Sequence, residues 1–282
     1  MIQIKRFDLE HSEYNKKMTL YIDDSVESKA AILYFHGGGL LYGSREDLPE
    51  LHIETMTKAG YAILSYDYPL APTATLELIH KDVCESVHNY LANSVQYVGK
   101  QLPYFLWGRS AGAYLCLLAA AKGDFFVNPH GLISYYGYGF LCDNWFKTPS
   151  PYYKSLPPVP ASCIQNIKYE LEANGPMDTH YMRYVYARQT GNWKDLIFTD
   201  REKFLYLNYS LRLCDHMPCP LFCAHSTGDT DVPYEEFMEL QRKYRPDIFV
   251  TSTDIHDFDR FTDTSAAKDL LEKTILFLNR NS

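Results

Sequence analysis

Short runs of strand-forming residues alternate with longer helical patterns along almost the whole chain, and several of these runs are apolar at every position rather than at every second one. Residues 18–22, 31–36, 61–66, 104–108, 132–136, 220–224 and 248–252 read as strands, and a first strand is expected near the N-terminus, where Met1-Ile2-Gln3-Ile4-Lys5-Arg6 alternates. A strand without alternation has both faces buried, so helices must cover both sides of the sheet. Segments 47–59, 76–97, 111–122, 233–244 and 265–279 carry the helical pattern. The expected class is α/β, a doubly wound, mostly parallel sheet.

The rhythm breaks between about residues 141 and 217. Residues 148–162 hold five prolines (149, 151, 157, 158 and 160), and the stretch after them is helical and rich in tyrosine. A connection of this length between sheet strands is normally a lid or subdomain. We expect a core built from residues 1–140 and 218–282, with 141–217 inserted as a helical cap.

Composition removes several function classes. With 282 residues, 46% of them hydrophobic, the chain can bury a large core. The net charge is −8 and no Lys/Arg run offers the footprint a nucleic acid or anionic membrane needs. The longest near-apolar stretch, residues 113–121, is about half of the roughly 20 residues needed to span a bilayer, so membrane insertion is not expected. The N-terminus has no apolar signal-peptide core, and the mature protein is expected to start there. Seven cysteines without a C-x-x-C pair suggest free thiols in a reducing cytoplasm.

Chemistry concentrates in three places. The first is Gly108-Arg109-Ser110-Ala111-Gly112, set between an apolar strand and an apolar helix. Strand, sharp turn and helix in succession are what a nucleophile elbow requires, with Ser110 held in a strained conformation so that its hydroxyl stands above the sheet. The plain alternative is a serine that caps a helix. The second is His36-Gly37-Gly38-Gly39, directly after a strand, where residues without side chains let backbone N–H groups approach a ligand oxygen. We assign an oxyanion hole to the N–H groups of Gly38, Gly39 and Ala111, with Gly37 a weaker member. A phosphate nest is the alternative, weakened by the lack of a following Lys-Ser/Thr pair. His36 itself reads as a loop brace.

The third is the pair of loops after the last two strands. Asp229 and Asp231 lie in His225-Ser226-Thr227-Gly228-Asp229-Thr230-Asp231, and His256 follows the next strand, in the order nucleophile, acid, histidine that such an elbow expects. Asp229 is assigned as the acid, Asp231 is the alternative, and a solvated loop histidine is the bland reading of His256. The remaining histidines at 11, 52, 80, 88, 130, 180 and 216 show no metal-ligand spacing and read as structural or surface residues.

These residues resemble the hormone-sensitive-lipase-like branch of the α/β-hydrolases, marked by H-G-G-G, D-Y-x-L-A-P and G-x-S-x-G, here His36 to Gly39, Asp67-Tyr68-Pro69-Leu70-Ala71-Pro72 and Gly108 to Gly112. The resemblance covers most of the chain outside the cap. It implies the α/β-hydrolase fold, carboxylesterase or acetyl esterase activity, and a bracing role for Asp67 and Tyr68. Two departures stand out: Arg109 where the branch usually has an acid, and an acid motif, Gly228-Asp229-Thr230-Asp231-Val232-Pro233, shaped more like those of acyl-peptidases and small esterases.

The expected reaction is hydrolysis of a small, short-acyl carboxylic ester through a Ser110–His256–Asp229 triad and an acyl-enzyme, with no metal or organic cofactor. Arg109, Tyr114 and Tyr42 are expected on the substrate pocket, Arg109 either meeting an anionic group or forming a surface ion pair. Eleven tyrosines at 135, 136, 138, 152, 153, 169, 181, 184, 186, 206 and 209 either line the pocket or pack the cap onto the core. The partner is a small-molecule ester, and a homo-oligomer is left open. An amidase, peptidase or formamidase with the same triad, or a non-catalytic ligand-binding module on the same fold, are the competing functions.

Overall fold

The structure, a computed structural model, describes residues 1–10, 13–165, 167 and 170–282; His11 and Tyr169, named above, lie outside the described residues. The described residues form one eight-stranded sheet of β1 (Ile2–Leu9), β2 (Lys16–Asp23), β3 (Ala30–Phe35), β4 (Tyr61–Tyr66), β5 (Tyr104–Arg109), β6 (Gly131–Tyr135), β7 (Leu221–Ser226) and β8 (Asp247–Thr251). The spatial order is β1-β2-β4-β3-β5-β6-β7-β8, antiparallel over β1-β2-β4 and parallel across the rest.

Strands β3, β4, β5 and β7 are buried at every residue, as continuous apolar runs require. Alternate residues feed two separate cores. Leu33, Leu64, Leu106 and Leu132 face α2 (Leu76–Val98), α3 (Ala111–Lys122) and α9 (Tyr234–Tyr244), while Ile32, Ile63, Phe105 and Ile133 face α1 (Glu50–Lys58) and α10 (Ser265–Asn281). Helix α1 begins later than the residue 47 read from the pattern, because Pro49, at φ −59°, takes the cap position where a missing N–H costs nothing. No helix among the described residues is long and apolar enough to cross a membrane.

Between β6 and β7 run short helices: α4 (Pro151–Ser155), α5 (Ser162–Gln165), α6 (Met177–Thr190), α7 (Trp193–Ile197) and α8 (Glu202–Tyr209). Their anchor is Glu236 of α9. Its buried carboxylate accepts from the backbone N–H groups of Gly139, Phe140 and Cys142 and from Trp145 Nε1, at 2.9, 2.8, 2.6 and 3.1 Å. One side chain thus satisfies four donors where the chain leaves the sheet.

Candidate active site

Strand β5 ends at Arg109, and the chain turns through Ser110 at φ 53°, ψ −118° before α3 begins. That left-handed backbone is costly for a residue with a Cβ, and the surroundings hold it there. The Ser110 N–H donates to Tyr135 O of the neighbouring strand at 2.9 Å. A Cβ on Gly112 would come within 2.0 Å of Phe35 O, so only glycine lets α3 pass this close to the end of β3.

His256 Nε2 is 2.9 Å from Ser110 Oγ, and His256 Nδ1 is 2.7 Å from Asp229 Oδ2. A carboxylate can only accept, so Nδ1 carries its proton toward Asp229, and in the neutral ring Nε2 accepts from the serine hydroxyl. The other Asp229 oxygen accepts from the N–H groups of Asp231 and Val232 at 2.8 and 2.9 Å. Burial pushes the Asp229 carboxyl up, but the His256 charge and hydrogen bond outweigh it and hold it below its ordinary value. Burial pushes the His256 imidazole down, whereas the charge and hydrogen bond of Asp229, joined by Asp231 and Asp257, carry it up to about 9.

Asp231, the alternative acid, does not reach Nδ1. Its carboxylate accepts from Tyr184 Oη at 2.8 and 2.9 Å, lies 3.3 Å from Arg188 Nε, and comes within 4.0 Å of His256 Nε2.

The loop after β3 turns through Gly38 and Gly39 at φ 99° and 56°. A Cβ on Gly39 would fall 2.1 Å from the Tyr184 ring. Among the described residues nothing accepts from the N–H groups of Gly38, Gly39 or Ala111. The loop is braced from behind: the Tyr68 ring stacks on His36 at 4.2 Å, and its hydroxyl donates to His36 O and Gly37 O. Asp67 pairs with Arg45 at 2.8 Å.

A cavity of about 280 Å³ opens over Ser110, walled by Gly38, Tyr42, Tyr136, Met177, Tyr184 and Asp231. The placement of Tyr114 and the role of Arg109 need correcting. Tyr42 is on the wall, but Tyr114 is not: its ring stacks on Tyr138 at 4.7 Å and its hydroxyl donates to Tyr209 O at 2.6 Å, tying α3 to the end of α8. Arg109 touches the cavity but is neither an anion receptor nor a surface pair. It is only 2% exposed, and its guanidinium lies 2.9 Å from Asp259 and 3.5 Å from Asp47.

Of the eleven tyrosines, Tyr136 and Tyr184 line the cavity, while most of the others serve packing, as Tyr153 does edge-on against Tyr184. Tyr136 was not singled out by the pattern, yet its ring lies 4.6 Å from that of His256 and its hydroxyl donates to Asp259 at 2.6 Å. Its place just beyond the carboxyl end of β6 was the available signal, since sites in parallel sheets collect there.

Comparison with known proteins agrees with this architecture. A family model described as the alpha/beta hydrolase fold matches residues 32–156. Lipase 2 of Moraxella sp. (strain TA144) is 32% identical over 108 residues, which are 38% of this chain and only 25% of that lipase, so the chain spans a small part of this curated relative. A Staphylococcus aureus protein described as of unknown function superposes with a TM-score of 0.83 at 29% identity, covering 98% of this chain and 99% of that one. An alpha/beta hydrolase superfamily protein from Enterococcus faecalis superposes with a TM-score of 0.83 at 25% identity, covering 99% of both. The chain has the α/β-hydrolase fold.

Proposed function

We propose that the chain is a serine carboxylesterase acting on small, short-acyl esters. What carries the reading is the unbroken hydrogen-bonded line from Ser110 Oγ through the His256 ring to Asp229, at 2.9 and 2.7 Å, beneath a cavity that reaches it. His256 Nε2 takes the hydroxyl proton as Ser110 Oγ bonds to the acyl carbon, and the carbonyl π electrons move onto oxygen. Unengaged N–H groups at Gly38, Gly39 and Ala111 suit that oxyanion, each such donor contributing about 3–4 kcal/mol to the transition state. The C–O bond then breaks, the alkoxide leaves with the Nε2 proton, and water repeats the sequence to release the acid.

We take residues 141–217 as a cap over a core of 1–140 and 218–282. Supporting this, Trp193 Nε1 donates to Gly39 O at 2.7 Å, and Gly175 and Gly43 exchange backbone hydrogen bonds of 2.7 and 2.9 Å. The modest cavity under these contacts favours short acyl chains.

Fluorophosphonate labelling together with p-nitrophenyl esters from acetate to palmitate tests the reading. Labelling that disappears in Ser110→Ala, with kcat lowered on the order of 10⁴-fold or more and a chain-length optimum at the short end, is expected. Asp229→Asn should lose far more activity than Asp231→Asn. Wild-type protein that neither labels nor turns over esters would refute the reading, and faster turnover of anilides than of matched esters would replace it with an amidase.

A further inference from the structure

A single acid serves His256 Nδ1, yet a second carboxylate stands beside the other ring nitrogen. Asp231 is 7% exposed, is part of the cavity wall, and brings Oδ2 to 4.0 Å from His256 Nε2. Burying a carboxylate costs several kcal/mol unless it is paired and hydrogen-bonded, so its position is built rather than incidental. Two residues of α6, one turn apart, hold it. Tyr184 Oη donates to both oxygens, and Arg188 lies 3.3 Å away with Nη2 and Nη1 tied to Asp231 O and Trp145 O at 3.0 and 2.9 Å. Arg188 supplies the countercharge from behind and is not on the cavity wall.

On the serine-esterase reading, on which this inference rests, the position has a chemical meaning. When the tetrahedral intermediate collapses, the electron pair of the breaking C–O bond stays on the alcohol oxygen, which takes the proton from Nε2. That oxygen must therefore come within hydrogen-bond reach of Nε2, about 3 Å. Asp231 then flanks the departing alcohol. The two arginines on the same wall are engaged elsewhere: Arg109 with Asp259 at 2.9 Å, and Arg260 with Asp47 and Asp257 at 3.0 and 2.9 Å.

We propose that Asp231 forms a leaving-group subsite that selects esters whose alcohol carries a hydrogen-bond donor next to the scissile oxygen, either the neighbouring hydroxyl of a polyol or a protonated amine. A hydrogen bond to a charged acceptor distinguishes such alcohols from their alkyl isosteres by on the order of tenfold or more. An anionic alcohol is rejected.

The test is kcat/KM for the full chain on four acetates: butyl acetate, glycerol 1-monoacetate, 2-(dimethylamino)ethyl acetate and 4-acetoxybutanoate. Expected are ratios of about ten or more over butyl acetate for the hydroxyl or the ammonium ester, or both, with the anion poorest. The two donor arms tell a polyol from an amino alcohol. In Asp231→Asn the ratios should collapse toward one, and because each is taken within one enzyme, any change in His256 basicity cancels. Tyr184→Phe, which keeps the carboxylate but removes its donor, should retain the preference and gives a second route if Asp231→Asn does not fold. A wild type that treats butyl acetate and both donor esters alike, or an Asp231→Asn enzyme with unchanged ratios, overturns the subsite. Fluorophosphonate labelling of Ser110 alongside such flat ratios would leave the esterase reading standing, whereas absent labelling and turnover would remove both.

Discussion

Replacing Arg109 with methionine should expose how the residue before Ser110 is paid for. Asp259 is 0% exposed and accepts from Arg109 Nη2, Tyr136 Oη and His52 Nε2 at 2.9, 2.6 and 2.9 Å. Burial pushes its carboxyl up, but the Arg109 charge, with the hydrogen bonds from His52 and Arg109, outweighs it and holds the group well below the usual carboxylate range. Removing the guanidinium strands a buried charge, at a cost of about 3–5 kcal/mol. For a chain of this length that lowers Tm by roughly 6–10 °C. Because Asp259 has a depressed folded pKa, the pairing contributes fully above the unfolded carboxyl pKa, about 4, and is lost as pH falls below it. The destabilisation by Arg109→Met should therefore shrink in acid. Activity should fall with it, since Arg109 precedes Ser110 and Asp259 lies on the His256 loop. Urea titration of Arg109→Met, Asp259→Asn and the double variant measures the coupling, expected at on the order of 2–3 kcal/mol. Single-variant losses that simply add, or an Arg109→Met protein within about 1 kcal/mol of wild type at pH 7, would refute the reasoning.

Two further predictions concern the imidazole and the anchor of the inserted segment. If His256 is the base, as proposed, its imidazole, carried up to about 9, is largely protonated at neutral pH, so kcat/KM should climb about tenfold per pH unit toward that value and level off above it. A profile already flat at pH 7 would contradict this. Glu236→Gln turns an amide N–H₂ toward two donors that have lost their acceptor, so the unfolding free energy should drop by about 2–4 kcal/mol, measured by urea unfolding; a loss under about 0.5 kcal/mol would show that water replaces the carboxylate.

Much of the frame was legible because its causes are local. Apolar runs without alternation demand a sheet covered on both faces, and β3, β4, β5 and β7 are buried throughout. Gly108 and Gly112 around Ser110 announce a turn where backbone passes backbone. The pocket was less legible, because a helical residue's direction depends on what it meets. Tyr114 lies one turn beyond Ser110, yet its ring goes to Tyr138 and its hydroxyl to Tyr209. Arg109 reads as a pocket cation or a surface ion pair because Asp259, 150 residues later, is invisible to local pattern.

By itself the sequence determined the α/β class, the succession of strands, the turn at Ser110 and the loops that bear Asp229, Asp231 and His256, since backbone conformation and two-faced burial follow from neighbouring residues. Only the tertiary structure decided which aspartate meets Nδ1, that Asp231 instead stands beside Nε2 under Tyr184 and Arg188, and that Arg109 is sealed against Asp259. Those outcomes depend on the packing of distant segments, where a few ångströms separate a base's partner from a neighbour on the cavity wall.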